Sequence, residues 1–314
     1  MNRGIAVRLR PSRSLLSESP RAMTLAPTPS LPLNDGRHIP QWGLGTWQIA
    51  EEDAARVVAD AIAIGYRHID TAAIYRNEEG VGQGIAASGI ARDQLFVTTK
   101  LWNPAQGYDS ALHALDKSLE RLKLGHVDLY LIHWPCPAQG KAVETWKAFI
   151  QAQREGKVRS IGVSNFRAED LERIIGETGV TPAVNQIELH PWLQQRALRA
   201  VHARHGIVTE AWSPLARGGD LLKDGTLTAI AAKHGKTAAQ VVLRWHLQSG
   251  LVVFPKSTHQ ERLRENLGAL GFTLDAADMA AVDSLDAGKR VGPDPAVFGR
   301  SCAGAICPAW RSSR

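Results

Sequence analysis

The stretch Val127-Asp128-Leu129-Tyr130-Leu131-Ile132-His133 decides the fold. It is apolar at nearly every position, the pattern of a strand buried on both faces rather than the alternation of a half-solvated one. Two similar runs precede it, Gly65 to Asp70 and Leu95 to Lys100, each separated from the next by the length of a strand-plus-helix unit. All three close on a polar side chain. In a (β/α)8 barrel the C-terminal strand ends converge on one mouth. Asp70, Lys100 and His133 are therefore expected to meet there, with Tyr75 just beyond the first run. A carboxylate, an ammonium, an imidazole and a phenol held together can deliver a proton to a carbonyl oxygen while hydride arrives from elsewhere.

On either side of these runs, strand-like segments end near Gly45, Ser164, Glu188, Ala211 and Phe254, which completes the eight strand ends that a closed barrel needs. A helical pattern follows each of the first seven. Ala54, Val57, Val58, Ala61 and Ile62 form an apolar stripe stopped by Gly65, and Leu112, Leu115, Leu119 and Leu122 form another before Gly125. Thr237 with Gln240 reads as a capping box ahead of Val241, Val242, Leu243 and Trp245. Leu31 to Leu33, Asn34-Asp35-Gly36 and His38 to Pro40 have the chemistry of a β-hairpin, expected to plug the barrel floor. Gly80-Val81-Gly82-Gln83-Gly84 lacks the strand-turn-helix context of a Rossmann fingerprint and reads as close packing in the second helix. Asp275 to Ser284 predicts one more helix outside the ring. The fold class is thus α/β: a (β/α)8 TIM barrel with an N-terminal β-hairpin and an extra C-terminal helix.

With 314 residues, 44% hydrophobic and 22% charged, the chain has room for one barrel or two small domains. Its net charge of +6 sits at the ends, on Arg3, Arg8, Arg10, Arg13 and Arg21 against Glu18, and on Arg300, Arg311 and Arg314. The nearly neutral body argues against a nucleic-acid partner. No run reaches the roughly 20 apolar residues of a membrane span. Cys136, Cys302 and Cys307 are too few and too badly spaced for a disulfide framework, which points to a reducing compartment, the cytoplasm. The 11 histidines are scattered, with His202 and His205 expected on a solvent face, so no metal site is read. Residues 1–26 are expected to be a disordered extension, residues 27–296 the barrel, and residues 297–314 an irregular tail. The Arg/Ser-rich beginning resembles an organellar transit peptide, but a start placed upstream of the true one, near Met23, is preferred.

His68-Ile69-Asp70-Thr71-Ala72, Tyr75, Thr99-Lys100-Leu101-Trp102 and Ile132-His133-Trp134-Pro135 resemble the signatures of the aldo-keto reductase family. The resemblance extends through Gly162-Val163-Ser164-Asn165-Phe166, Asn185-Gln186-Ile187-Glu188-Leu189-His190-Pro191 and Pro255-Lys256-Ser257 with Arg262, Glu265 and Asn266, and covers residues 31 to 296. It implies that Tyr75 donates the proton, that Lys100 favours the phenolate left behind, that Asp70 holds the ammonium, and that neutral His133 orients the carbonyl. Elementary chemistry agrees. A free tyrosine, with a pKa of about 10, keeps its proton at neutral pH but donates it poorly unless a cation favours the phenolate.

The same resemblance implies a bound NADPH. Ser164, Asn165 and Gln186 offer amides and a hydroxyl for the carboxamide, Trp212 can stack on the nicotinamide, and Thr46, Trp47 and Asp70 complete that end of the implied set. The loop from Ser213 through Leu215 to Gly219 is expected to wrap the pyrophosphate. Lys256, Ser257 and Arg262 gather charge and a hydroxyl for a 2′-phosphate, which favours NADPH over NADH, although His259 stands where related bacterial reductases often carry arginine. Glu265 and Asn266 match the family's adenine contacts.

Trp47, Trp102, Trp134 and Trp192 are expected near the mouth; the first three, with Tyr75 and His133, form the candidate substrate pocket, and Cys136 reads as a buried thiol. Gly235-Lys236-Thr237 through Gln248, Val253 to Ser257, Thr71 to Gly82 and Pro182 to Pro191 are similar to bacterial 2,5-diketo-D-gluconate reductases. That similarity implies reduction of 2,5-diketo-D-gluconate to 2-keto-L-gulonate by a monomeric enzyme. A broad aldehyde or methylglyoxal reductase is the alternative. A nucleotide-sensing subunit is a third reading, disfavoured because the basic N-terminus is short and the tail from Arg300 to Arg314 has no amphipathic period.

Overall fold

The turn Asn34-Asp35-Gly36 folds the chain back on itself, with Gly36 supplying the positive φ of 83°. It pairs β1 (Ser30–Pro32) antiparallel with β2 (His38–Pro40) in this computed structural model, which describes Met1 and residues 28–299. Eight parallel strands follow: β3 (Leu44–Gly45), β4 (His68–Asp70), β5 (Phe96–Leu101), β6 (Val127–Ile132), β7 (Val158–Ser164), β8 (Val184–Glu188), β9 (Val208–Trp212) and β10 (Val252–Val253). They pair in chain order. The sheet closes where Val253 bridges Trp42 just ahead of β3: Gly43 N–H donates to the Val253 carbonyl and Val253 N–H to the Gln41 carbonyl, both at 2.9 Å.

Alternation along each strand sorts the core into two layers. Tyr130 and Ile132 belong to the layer shared with the helices, whereas Leu129 and Leu131 pack inside the barrel with Val184, Val252 and Phe254. Leu33 and Ile39 of the hairpin join that interior cluster, and Ser160 Oγ donates to Asp35 Oδ2 at 2.7 Å. The hairpin therefore seals the floor.

The helices are α1 (Glu51–Ala63), α2 (Glu78–Ala87), α3 (Tyr108–Leu122), α4 (Ala142–Arg154), α5 (Ala168–Thr178), α6 (Arg196–His205), α7 (Gly225–His234), α8 (Ala238–Gln248), α9 (Gln260–Leu267) and α10 (Ala276–Asp283). The stripe expected on α1 is its buried face, and the capping box Thr237/Gln240 opens α8. α10 packs outside the ring against α7 and α8.

Three details differ from expectation. α3 is capped at Lys123, in the left-handed region with φ 54°, before Gly125 is reached, and Ala111 joins Leu115, Leu119 and Leu122 on its buried face while Leu112 packs half-buried beside them. The seventh strand is followed by two helices: α7, whose N-cap Asp224 accepts from the N–H groups of Thr226 and Leu227, buries only Leu227, Ile230 and Ala231. So narrow a stripe leaves little periodic signal. His202 is buried rather than solvent-facing, because β8 and β9 present polar side chains to α6: its ring nitrogens meet Asn185 Nδ2 at 2.9 Å and Thr209 Oγ1 at 2.8 Å.

The glycines of α2 have the packing role that the sequence assigns them. A Cβ at Gly80 would lie 2.7 Å from the Glu51 carbonyl oxygen and one at Gly84 2.5 Å from that of Ala55, while one at Gly82 would overlap the Leu122 carbonyl. Among the described residues no helix is long and apolar enough to cross a membrane, and no group of three or more His, Cys, Asp or Glu is placed to hold a metal ion. The expected extension over residues 1–26 and the tail beyond residue 299 lie outside the described residues, apart from Met1.

Candidate active site

β4 and β5 run side by side, and their ends set two opposite charges together. Lys100, fully buried, donates from Nζ to Asp70 Oδ1 at 2.6 Å, to the Thr71 carbonyl at 3.0 Å and to Tyr75 Oη at 3.5 Å, so each of its three protons has an acceptor. Burial works against the ammonium, but Asp70, with Tyr75 and Glu210, holds it above the ordinary lysine range. Tyr75 sits in a helical turn, Ala73–Tyr75, ended by Arg76 at φ 58°. Burial and Asp70 raise its phenol, Lys100 opposes them, and the balance leaves it above the ordinary value and protonated at neutral pH. His133, just past β6, lies edge-on to Tyr75 with ring centroids 5.9 Å apart. Burial and the nearby Lys100 hold it well below the ordinary imidazole range, so it is neutral. Lys100, Tyr75 and His133 have the protonation states that proton donation to a carbonyl oxygen requires.

Beside them, Asn165 is a hub. Its Nδ2 donates to the His133 carbonyl at 2.9 Å and to Ser164 Oγ at 3.0 Å, and its Oδ1 accepts from Trp212 Nε1 at 2.8 Å. One amide thereby fixes both the backbone at His133 and the plane of the Trp212 indole. Ser164 Oγ donates to the Gln186 carbonyl, and Gln186 Nε2 donates to Asp70 Oδ2 at 2.9 Å and Glu210 Oε2 at 2.8 Å. Glu210, inside the barrel, was not among the residues singled out from sequence; an acid in the middle of the run Val208 to Trp212 was the signal.

Above this floor opens a cavity of about 500 Å³. Asp70, Tyr75, His133, Trp47, Trp134, Ser164, Asn165, Gln186, Trp212, Ser213, Leu215, Lys256 and Arg262 all line it, joined by Gln48, Arg217, Phe254, Pro255 and Pro293. Lys100 lies beneath. Gln48, Asn165, Ser213 and Arg217 hold positive φ without being glycine, strain of the order of 1 kcal/mol or more each that characterises functional loops. Arg217, Lys256 and Arg262 form no ion pair among the described residues; Arg217 lies 5.8 Å over the Trp47 ring and Lys256 Nζ donates to the Gln48 carbonyl. Three cations without anionic partners among the described residues, lining one cavity with a fixed indole, fit a phosphorylated, aromatic-ended ligand.

Several candidates stand outside the cavity lining. Thr46 uses its Oγ1 and N–H on the Asp70 carbonyl, so it shapes the floor from behind. Ser257 Oγ accepts from the His259 N–H at 3.0 Å, and Glu265 and Asn266 are in the last turns of α9. Trp102 lines a second cavity and lies edge-on to His133, while Trp192 packs under Lys289, 4.2 Å from its ring. Cys136 is buried beside Trp134 and Phe298. One wall was missed altogether. Glu188 accepts from the N–H groups of Val291 and Gly292 and from Arg290, which pins the segment carrying Pro293 across Trp212.

A family model described as the Aldo/keto reductase family matches residues 40–287. An aldo-keto reductase of Mycolicibacterium smegmatis is 55% identical over 271 residues, 86% of this chain and 98% of that protein. A methylglyoxal reductase, DkgA, of Escherichia coli K12 is 51% identical over 268 residues, 85% and 97% of the two chains. A crystal structure of a Gox0644 variant in complex with NADPH superimposes with a TM-score of 0.83 at 51% identity, covering 87% of this chain and 99% of that one.

Proposed function

We infer the reaction from the family: this chain belongs to the aldo/keto reductase family, and it is an NADP-dependent oxidoreductase acting on small carbonyl compounds. NADPH, when bound, supplies the hydride that adds to the carbonyl carbon. Every other requirement falls to side chains described above. Tyr75 gives its proton to the carbonyl oxygen. Lys100 lowers the cost of the phenolate, Asp70 keeps the ammonium in place, and neutral His133 donates a hydrogen bond that orients the carbonyl. Arg217, Lys256 and Arg262 hold the phosphates, and Trp212 with Ser164, Asn165 and Gln186 receives the nicotinamide end. The observation carrying this reading is the buried Lys100 ammonium, 2.6 Å from Asp70 and 3.5 Å from Tyr75 Oη.

Methylglyoxal is the substrate we favour, because the enterobacterial relatives named for that reduction are about half identical over nearly their whole length. The expectation of 2,5-diketo-D-gluconate becomes the second reading, supported by the stretches from Thr71 to Gly82 and Pro182 to Pro191. The same reading takes residues 27–296 as the catalytic barrel of a cytoplasmic monomer. Initial rates of NADPH absorbance loss with methylglyoxal, 2,5-diketo-D-gluconate and an aromatic aldehyde, repeated with NADH, test it. Preference for methylglyoxal with NADPH supports the first reading and preference for the sugar acid the second; no turnover with any carbonyl refutes both. Tyr75→Phe should abolish most turnover with little effect on NADPH affinity, and near-normal turnover removes Tyr75 as the donor.

A further inference from the structure

Glu210 is an anomaly inside the barrel. It is fully buried on β9, its Oε2 accepts from Gln186 Nε2 at 2.8 Å, and its Oε1 makes no hydrogen bond. The same Gln186 nitrogen donates its other proton to Asp70 Oδ2 at 2.9 Å. One amide thus ties two carboxyl groups together, and among the described residues one buried cation, Lys100, lies near both. The charged groups facing Glu210 are Asp70 from β4 and Lys100 from β5; β8 presents the neutral Gln186, and β10 presents Val252 in register. Lys100 is already committed to Asp70, Thr71 and Tyr75.

We propose that Glu210 is a positioning residue that works as a neutral acid: through Gln186 it fixes Asp70, and its ionisation weakens Lys100 as the support of the Tyr75 phenolate. Two ionised carboxylates on one ammonium would hold that ammonium's field back from the phenol. Burial, then Asp70, pushes the Glu210 carboxyl up to about 8, so it keeps its proton at neutral pH and loses it in mild alkali. The extra negative charge then raises the phenol further and disfavours proton donation. The sign follows: carbonyl reduction slows as pH rises through about 8.

The inference rests on Tyr75 being the donor, so its test includes a readout that needs no turnover. Single-turnover NADPH oxidation is followed against pH for the wild type and for Glu210→Gln, which keeps the acceptor for Gln186 but cannot ionise. The wild type is expected to lose rate above pH 8 on a limb that the variant lacks. Ultraviolet difference titration, with Tyr75→Phe as the subtracted blank, should show Tyr75 ionising at lower pH in Glu210→Gln than in the wild type. Infrared difference spectra of the wild type alone, which do not depend on the variant folding, should show a protonated carboxyl that vanishes through the same pH range. Coincident limbs, an unmoved Tyr75 titration, or no protonated carboxyl in the wild type would each overturn the proposal. Absence of wild-type turnover would instead count against the carbonyl-reductase reading, leaving both spectroscopic titrations to decide on Glu210.

Discussion

Replacing Lys100 by methionine keeps the bulk of the side chain and removes its charge, and two separable effects follow. The first is on rate. A full phenolate charge 3.5 Å from the Lys100 ammonium gains about 5 kcal/mol at an effective dielectric of about 20. If about half that charge has developed in the transition state, the loss is about 2.4 kcal/mol, or roughly 60-fold in single-turnover rate. The second effect is on stability. Asp70 would keep only Gln186 as a side-chain donor, and breaking a buried pair typically costs ~3–5 kcal/mol. Adding Asp70→Asn removes the stranded charge, so the double variant should recover most of the lost denaturant midpoint while staying as slow as Lys100→Met alone. Stopped-flow NADPH oxidation and urea melts on the wild type and the three variants complete the cycle. A Lys100→Met rate within about threefold of the wild type would refute the electrostatic account of Tyr75, and a double variant no more stable than the single would refute the account of the pair.

Arg262→Ala should raise the Kd for NADPH roughly 10- to 100-fold, from the loss of a charged hydrogen bond worth about 1.5–3 kcal/mol, and leave the Kd for NADH nearly unchanged; equal weakening of both in a tryptophan-quenching titration would take Arg262 off the 2′-phosphate. Gly82→Ala should destabilise the fold by ~1–3 kcal/mol, because its Cβ meets the Leu122 carbonyl where α2 crosses the end of α3; an unchanged urea midpoint would show that the helices yield freely. His202 and His246 are both pushed down to about 4 by burial, from 6.5. Between those values the unfolded chain binds more protons than the fold, so stability is full above pH 6.5 and falls as pH drops toward 4. His246→Gln should flatten that slope in melting temperature, and an unaltered slope would assign the acid sensitivity elsewhere.

The strand ends and the α1 stripe were legible because each depends on a local period. β6 shows its buried faces within seven consecutive letters, and Gly65 marks a stop by its own chemistry. The chemistry-bearing ends were legible for the same reason: Asp70, Lys100 and His133 each terminate an apolar run. What escaped depends on which element lies opposite. His202 reads as a surface residue of α6 until Asn185 and Thr209 are known to lie under it. Glu188 reads as a strand end until the segment from Arg290 to Pro293 is seen to cross it, and nothing local to residue 188 announces a partner about a hundred positions away.

Glu210 escaped for a subtler reason, which also explains its place in the chemistry. Side chains two apart on a strand share a face, so an interior layer is read by stepping back two residues from each polar end. From Asp70, Lys100, Gln186 and Glu210 that step leads to His68, Thr98, Val184 and Val208. His68 is buried between Phe96 and Phe254 and pushed down to about 3 by burial, and Val184 and Val208 belong to the interior apolar cluster. The charged layer therefore rests on a neutral one and meets the cavity through Asp70 and Gln186. Water cannot stabilise a second carboxylate from below, and the register that aligns Gln186 with Glu210 places it one amide away from Asp70. A sequence gives the period of each strand but not the offset between β8 and β9. That offset turns an unremarkable glutamate into a neighbour of the proton donor's support.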